Sequence, residues 1–213
     1  MAGAFEVDFR QRKIAGFIKV IAGIILAAGA SSRMGTPKAL LDFRGETFLN
    51  RLIRVLSGAC DPVIVALGYH ADQIRADASP GNARFVINPD PSRGQLSSLQ
   101  TALEEIPSDA EGFLFQPVDC PAPEPETVRR IVDALHSSGA LLVIPRYEGE
   151  RGHPVAARRE LIPEFLALPP EAKAKYVVHR HVDCTHYLDV DDPGILSDID
   201  DPEAYRVLRE QSA

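Results

Sequence analysis

The sequence predicts an α/β protein built on one doubly wound, mostly parallel sheet, and three observations carry that prediction. Apolar runs the length of a single buried strand alternate with segments whose apolar residues recur at helical spacing. Strands and helices that alternate in this way pack as a parallel sheet with helices on both faces. The first apolar run then empties into a loop of small residues, as a strand of such a sheet does at its ligand-binding end. With 213 residues, 45% of them hydrophobic, the chain can bury a full core and suits one domain better than two.

The elements follow in order. Ile24-Ile25-Leu26-Ala27-Ala28 is the first strand, and Phe48, Leu49, Leu52, Ile53 and Leu56 mark a helix by their spacing. Pro62 to Gly68 is a second buried strand, which makes a βαβ beginning. Arg84 to Ile87 is a third strand, Ser97 to Glu105 a helix, and Phe113 to Pro117 a fourth strand ending at Val118-Asp119. Val128, Ile131, Val132 and Leu135 define an amphipathic helix, Leu141 to Ile144 another strand, and Glu148 to Gly152 a turn leading into Pro154-Val155-Ala156. Ligands of such sheets lie beyond the carboxyl ends of the strands, which brings Gly29 to Lys38, Gly68, Ser97-Ser98 and Asp119 together.

Composition excludes several classes of function. A net charge of −7 and a pI near 5.4 argue against duplex DNA or an anionic membrane as the main partner, since phosphate neutralisation needs a basic face. Cys60, Cys120 and Cys184 lie far apart and form no C-x-x-C, so neither a disulfide framework nor a zinc site is indicated, and a reducing cytoplasm fits best. Arg10, Arg12, Lys13 and Lys19 precede the apolar run Val20 to Ala27, and Ala28-Gly29-Ala30 has the look of a signal-peptidase site. That run is rich in Ile and Gly rather than Leu and has the length of one strand, which argues against export, and nothing is long enough to span a membrane. Residues 1–20 form an N-terminal extension ahead of the domain at 21–213; a disordered segment, a docking arm and an over-called start all fit it.

The loop after the first strand carries the chemistry. Gly29, Gly35 and Lys38 do not fit G-x-x-x-x-G-K-[ST], and no G-x-G-x-x-G follows the strand, so this is a different phosphate loop. Small residues let the backbone approach a phosphate, Arg33 offers a planar fork to phosphate oxygens, and Lys38 is a compact point charge. The competing reading is a tight turn in which Gly29 and Gly35 supply positive φ and the charges are solvated. Asp119, on the end of a buried strand and followed by Cys120-Pro121, is the candidate hard-oxygen ligand for a metal, against the plainer reading of an Asp that caps a turn. The tail is strongly acidic, with Asp189, Asp191, Asp192, Asp198, Asp200 and Asp201; Asp201 before Pro202-Glu203 is a helix start.

The stretch Leu26-Ala27-Ala28-Gly29-Ala30-Ser31-Ser32-Arg33-Met34-Gly35-Thr36-Pro37-Lys38 closely resembles the L-A-A-G-x-S-x-R-M-G-x-P-K signature of nucleotidyltransferases that include molybdenum cofactor cytidylyltransferase. Asp119-Cys120-Pro121 resembles the family's D-x-P metal motif, Gly94 to Leu99 its G-M-x-S-S-L, and Arg151 to Val155 its R-G-H/N-P-V. Val190 to Glu203 is similar to its terminal V-D-D-P-G-x-L-x-D-I-D-T-P-E. The resemblance covers nearly all of Ile21 to Leu208 and implies a Rossmann-like, Mg²⁺-dependent enzyme that transfers CMP from CTP to the molybdenum pterin cofactor with release of pyrophosphate. It implies Arg33, Lys38 and Asp119 as catalytic groups, and a nucleotide and cofactor site of Leu26, Ala27, Ala28, Gly29, Arg33, Lys38, Gly68, Ser97, Ser98 and His153. Asp198 or Asp200, rated equally, would be the second metal carboxylate opposite Asp119.

L-A-A-G favours cytidine, since the guanylyl relatives carry L-A-G-G. Ser97 reads equally as a plain N-cap, and His179 and His181 around Arg180 alternate as on an exposed face. The family's G-D-x-G-A-R turn is missing: Pro169-Pro170-Glu171-Ala172-Lys173-Ala174-Lys175 stands in its place, which leaves the acceptor open. Two alternatives stay beside this reading, transfer to another phosphorylated acceptor such as a sugar 1-phosphate, and a non-catalytic protein that delivers molybdenum cofactor to a molybdenum hydroxylase apoenzyme.

Overall fold

A computed structural model gives the structure of residues 20–169 and 171–210. The expected N-terminal extension therefore lies outside the described residues except for Val20. The chain runs through β1 (Val20–Ala27), a small ribbon of β2 (Asp42–Phe43) and β3 (Glu46–Thr47), α1 (Phe48–Ser57), β4 (Val63–Leu67), α2 (Ala71–Asp77), β5 (Arg84–Ile87), α3 (Gln95–Leu103) and β6 (Ala110–Pro117). It continues with α4 (Pro125–Ser137), β7 (Leu142–Tyr147), β8 (Glu150–Arg151), β9 (Val155–Arg158), α5 (Ile162–Ala167), α6 (Lys175–Arg180), β10 (Thr185–Asp189) and α7 (Pro202–Glu210).

The strands β10-β7-β9-β6-β1-β4-β5 form one sheet in that order, with β8 paired to β7. β1 is central, and the continuous burial of Ile21 to Ala27 reflects cover on both faces. It pairs in parallel with β4 and β6, so that Ile25 lies opposite Val65 on one side and Gln116 on the other. The expected α/β class is the observed one. Two strands run against the rest, β9, antiparallel to both β6 and β7, and the short β8, antiparallel to β7.

Side chains alternate across the sheet with the period of two that strands impose. Ile25 joins Phe48, Leu49 and Leu52 of α1 and Val128 and Ile131 of α4 on one face. Ile24 and Leu26 join Leu96 and Leu99 of α3, Phe165 of α5 and Val177 of α6 on the other. α1 is capped by Thr47, whose hydroxyl accepts from Asn50 N at 3.1 Å, and α4 starts with a proline in its first turn. α3 begins two residues earlier than its sequence pattern suggests, because Gly94, at φ 94°, turns the chain into the helix.

After β1 the chain moves to β4 and β5 on one side, then crosses to β6 on the other. The connections leaving β1 and β6 diverge there, which opens a crevice at the carboxyl ends of these two strands. Among the described residues no helix is long and apolar enough to cross a membrane.

Candidate active site

The loop leaving β1 forms the floor of a cleft whose walls include Leu26, Ala27, Ala28, Gly29, Lys38 and Asp119. The backbone turns left-handed at Ser31 (φ 51°) and Gly35 (φ 68°), and Ser31 Oγ accepts from Lys38 N at 2.9 Å, which closes the loop. Gly29 does not adopt positive φ, and a Cβ placed there would meet nothing within 4 Å. A turn requirement thus explains Gly35 but not Gly29, whose bare backbone faces open space. Gly68 plays a different part: a Cβ there would lie 2.7 Å from Pro91 Cβ and 2.9 Å from Ala28 Cβ, so its absence lets the end of β4 close against the floor.

The acidic tail is strapped across the carboxyl end of the sheet by hydrogen bonds and close packing. Asp192 is buried and accepts from Glu124 N (2.9 Å), Thr127 Oγ1 (2.6 Å) and Gly194 N (2.9 Å). Gly194 packs on the Ala122 carbonyl and Gly152 on that of Ile195, where neither site has room for a Cβ. His153 N donates to Ile195 O at 2.9 Å, and Ile199 N donates to Asp119 O at 2.8 Å. Ile199 is buried between Asp198 and Asp200, and this delivers both carboxylates to Asp119. The loop that bears Asp119 is held from beneath by the buried Arg51, whose Nε donates to Pro121 O at 3.0 Å.

Lys38 Nζ sits 3.1 Å from Asp119 Oδ2 and 2.8 Å from Asp200 Oδ1, and Arg33 Nη2 lies 3.7 Å from the same Asp200 oxygen. Burial opposes the charge on Lys38, but Asp200 and Asp119 outweigh it and its pKa is raised. Asp200 is held below the usual carboxylate range by the Lys38 hydrogen bond. Asp198 goes the opposite way: burial first, then the charges of Asp119 and Asp200, push its pKa up. Ligand atoms of Asp119, Cys120 and Asp198 all lie within 4.8 Å of one another. The Cys120 thiol is buried and its pKa is driven well up, so the carboxylate oxygens are the available donors and the set suits a hard cation.

Ser97 is not an N-cap. Gly94 holds that position, and Ser97 Oγ donates to Gly94 O at 2.7 Å while accepting from Asn88 Nδ2 at 2.8 Å. Ser98 Oγ accepts from the same Asn88 amide at 3.0 Å, and Ser98 lines the cleft. His153 stands off this first cleft, on the wall of a second one that shares Gly94 and Gln95 with it. Burial lowers the His153 pKa, so the ring is neutral near pH 7, and its Nδ1 is buried without a partner. His179 is exposed near the end of α6, while His181, just past it, is half-buried and its Nε2 pairs with Glu164 Oε1 at 2.7 Å. Pro170 of the divergent turn lies outside the described residues.

Tyr69, Gln95 and Arg51 were invisible as site residues in the sequence. Tyr69, just after β4, and Gln95, the first residue of α3, line the first cleft beside Gly68 and Ser98, the neighbours that the sequence did single out. Arg51 left one signal, a charge on the apolar face of α1.

The family described as the MobA-like NTP transferase domain matches residues 23–185. The molybdenum cofactor cytidylyltransferase of Escherichia coli strain K12 is 27% identical over 190 residues, covering 88% of this chain and 95% of that protein. The nicotine blue oxidoreductase of Paenarthrobacter nicotinovorans is 31% identical over 199 residues, covering 88% and 96%. Among solved structures, Rv0371c from Mycobacterium tuberculosis H37Rv superposes with a TM-score of 0.82 at 33% identity, over 92% of this chain and 100% of that one, and its manganese complex does so at 0.77. A loop closed by Ser31 and Lys38 after β1, an aspartate at the end of β6 and an acidic tail strapped beside them thus occur in a chain that belongs to the MobA-like NTP transferase family.

Proposed function

We propose that the protein transfers CMP from CTP to the phosphate of a molybdenum pterin and releases pyrophosphate. The observation that carries this reading is the Lys38, Asp119, Asp198 and Asp200 constellation at the carboxyl ends of β1 and β6. Nucleotidyl transfer passes through a crowded, multiply negative centre at the α-phosphorus, and catalysis there is mainly positioning and charge neutralisation. The backbone at Gly29 leaves room for the triphosphate to approach, Lys38 supplies a fixed positive charge beside it, and the exposed Arg33 reaches the outer phosphate oxygens. Asp119 and Asp198 are the residues that would hold Mg²⁺, because Asp198 is the carboxylate still lacking a cation, whereas Asp200 has Lys38. When bound, the ion would neutralise phosphate charge in the transition state. Lys38 then keeps Asp200 as its counter-ion and orienter.

A relative named as an oxidoreductase means that family membership alone does not fix the chemistry. The site does bear on it: a lysine beside a hard-cation site suits a triphosphate, and no G-x-G-x-x-G dinucleotide turn follows β1. The name of the E. coli relative and the L-A-A-G loop support cytidine as the base and a molybdenum pterin as the acceptor. Free cysteines, two of them buried, are in keeping with work in the cytoplasm. Thermal shift with CTP, GTP, ATP and UTP, each with Mg²⁺, tests the donor. The largest rise should come from CTP, and equal rises from all four, or none, would contradict the assignment.

A further inference from the structure

Gln116 is out of keeping with the apolar strand that carries it. It lies near the end of β6 with 0% of its surface exposed, opposite Ile25 in the register. Ile25 and Leu114 share that face of the sheet with the apolar residues of α1 and α4, so the amide enters a core of hydrocarbon. Its Oε1 finds no partner there, a desolvation cost that a leucine at the same place would not carry.

The other end of the amide shows what the glutamine does. Nε2 donates to Cys120 O at 2.5 Å and to Pro117 O at 3.3 Å. Carbonyls only accept, so chemistry alone fixes which end of the amide faces them. Cys120 N also donates to Pro117 O at 3.2 Å, which makes Pro117-Val118-Asp119-Cys120 a tight turn with Asp119 as its third residue. One buried amide therefore ties the first and the last carbonyl of the turn that bears the aspartate. The middle of the turn is held by Val118 N on Leu26 O (3.0 Å) and by Ile199 N on Asp119 O, and the chain beyond it by Arg51 on Pro121 O and Pro123 O.

We propose that Gln116 is a positioning residue for Asp119: it sets the turn that aims this carboxylate at Lys38 and at the cation, and β6 keeps a half-satisfied amide in its core for that role. Complete burial removes Gln116 from contact with substrate and ion, so it acts only through the turn. The inference rests on the reading of Asp119 as a metal ligand and adds what holds that ligand in place.

Gln116→Met keeps the reach of the side chain and removes both polar ends. It abolishes the unpaired Oε1 but takes the amide donor from Cys120 O, so one unsatisfied acceptor replaces another and the melting temperature should stay close to that of the wild type. Mn²⁺ affinity, read by electron paramagnetic resonance on the nucleotide-free protein, should nevertheless fall about tenfold, the usual size for loss of a group that orients a metal ligand. Gln116→Asn holds its amide one methylene short of the turn and should lose as much, and it carries the test where the methionine variant does not fold. In an Asp119→Asn background Gln116→Met should leave the residual Mn²⁺ affinity nearly unchanged, because the ligand it positions is gone. Wild-type Mn²⁺ affinity in Gln116→Met, a full further loss on top of Asp119→Asn, or failure of both Gln116 variants to fold would overturn the proposal and leave the metal site itself standing. A wild type that binds no Mn²⁺ would overturn the metal reading, and the inference with it.

Discussion

Asp198→Asn and Asp200→Asn should move the stability of the metal-free protein in opposite directions. Asp198 has a carboxylate oxygen within 4.8 Å of Asp119; the residue is exposed overall and only partly desolvated on the side of Asp119, so a dielectric close to that of water applies to the repulsion. In that medium the repulsion is about 1 kcal/mol, and Lys38, which pairs with Asp119, cuts it to roughly half. Removing the charge should raise the melting temperature by about 1–2 °C for a chain of this size. Asp200 is the opposite case. Its carboxylate accepts from Lys38 at 2.8 Å with the side chain 52% exposed, so the loss is about 0.2–1 kcal/mol, or about 1–3 °C downwards. Linkage gives a pH signature as well. The folded protein takes up a proton at Asp198 that the unfolded chain does not, so the penalty fades as pH falls through the raised carboxylate range, and the advantage of Asp198→Asn should fade with it. Scanning calorimetry with EDTA, then with Mn²⁺ at about 100 times its Kd, reads both effects. The metal should add about 2.7 kcal/mol to the wild type and to Asp200→Asn, and little to Asp198→Asn. Shifts of the same sign in the two variants, or a full metal shift in Asp198→Asn, would refute the division of labour between these aspartates.

Gly29→Ala should fold normally, since its Cβ meets nothing, yet weaken nucleotide binding in a calorimetric titration; Gly68→Ala should cost about 1–3 kcal/mol in urea unfolding because Pro91 and Ala28 leave no room. Asp192→Ala should destabilise by about 3 kcal/mol or more, as it strands the donors of Glu124, Thr127 and Gly194 that one carboxylate now serves. In the native protein only Cys184 should react quickly with a disulfide reagent, because burial pushes the Cys60 thiol up to about 12 and Cys120 is likewise buried; rapid modification of all three would contradict the buried positions.

The elements that a local pattern can encode were legible in the sequence. Buried parallel strands such as β1 and β4 are continuous apolar runs, and α1 and α4 show helical periodicity over several turns. β9 was visible as Val155-Ala156 but not its direction, which is set by pairing with β6 and β7 and leaves no local mark. β10 is half-buried up to its exposed last residue, Asp189, and α5 and α6 have six residues each, too few for a period to emerge. Asp198 and Asp200 could not be separated in the sequence for a geometric reason. Two residues apart around a buried isoleucine, they project to the same side, and cations distant in sequence, Lys38 162 positions from Asp200 and Arg33 behind it, distinguish them. The hydroxyl of Ser97 suits a cap as well as a ligand, and only the fold shows that the glycine ahead of it takes the cap position. The second cleft was hidden because its cations come from distant parts of the chain, Arg93 ahead of α3, Arg151 on β8, Lys173 before α6 and Lys175 at its start, and gather only in the fold.

Pyrophosphate release from CTP, Mg²⁺ and molybdenum pterin tests the central claim most directly, with Asp119→Asn beside the wild type. The amide keeps the shape of the aspartate and removes the charge that opposes Lys38 and binds a hard cation. Release by the wild type should need all three components and should vanish in a folded Asp119→Asn protein. Undiminished release in Asp119→Asn, or none from a wild type that binds CTP and Mg²⁺, would contradict the account.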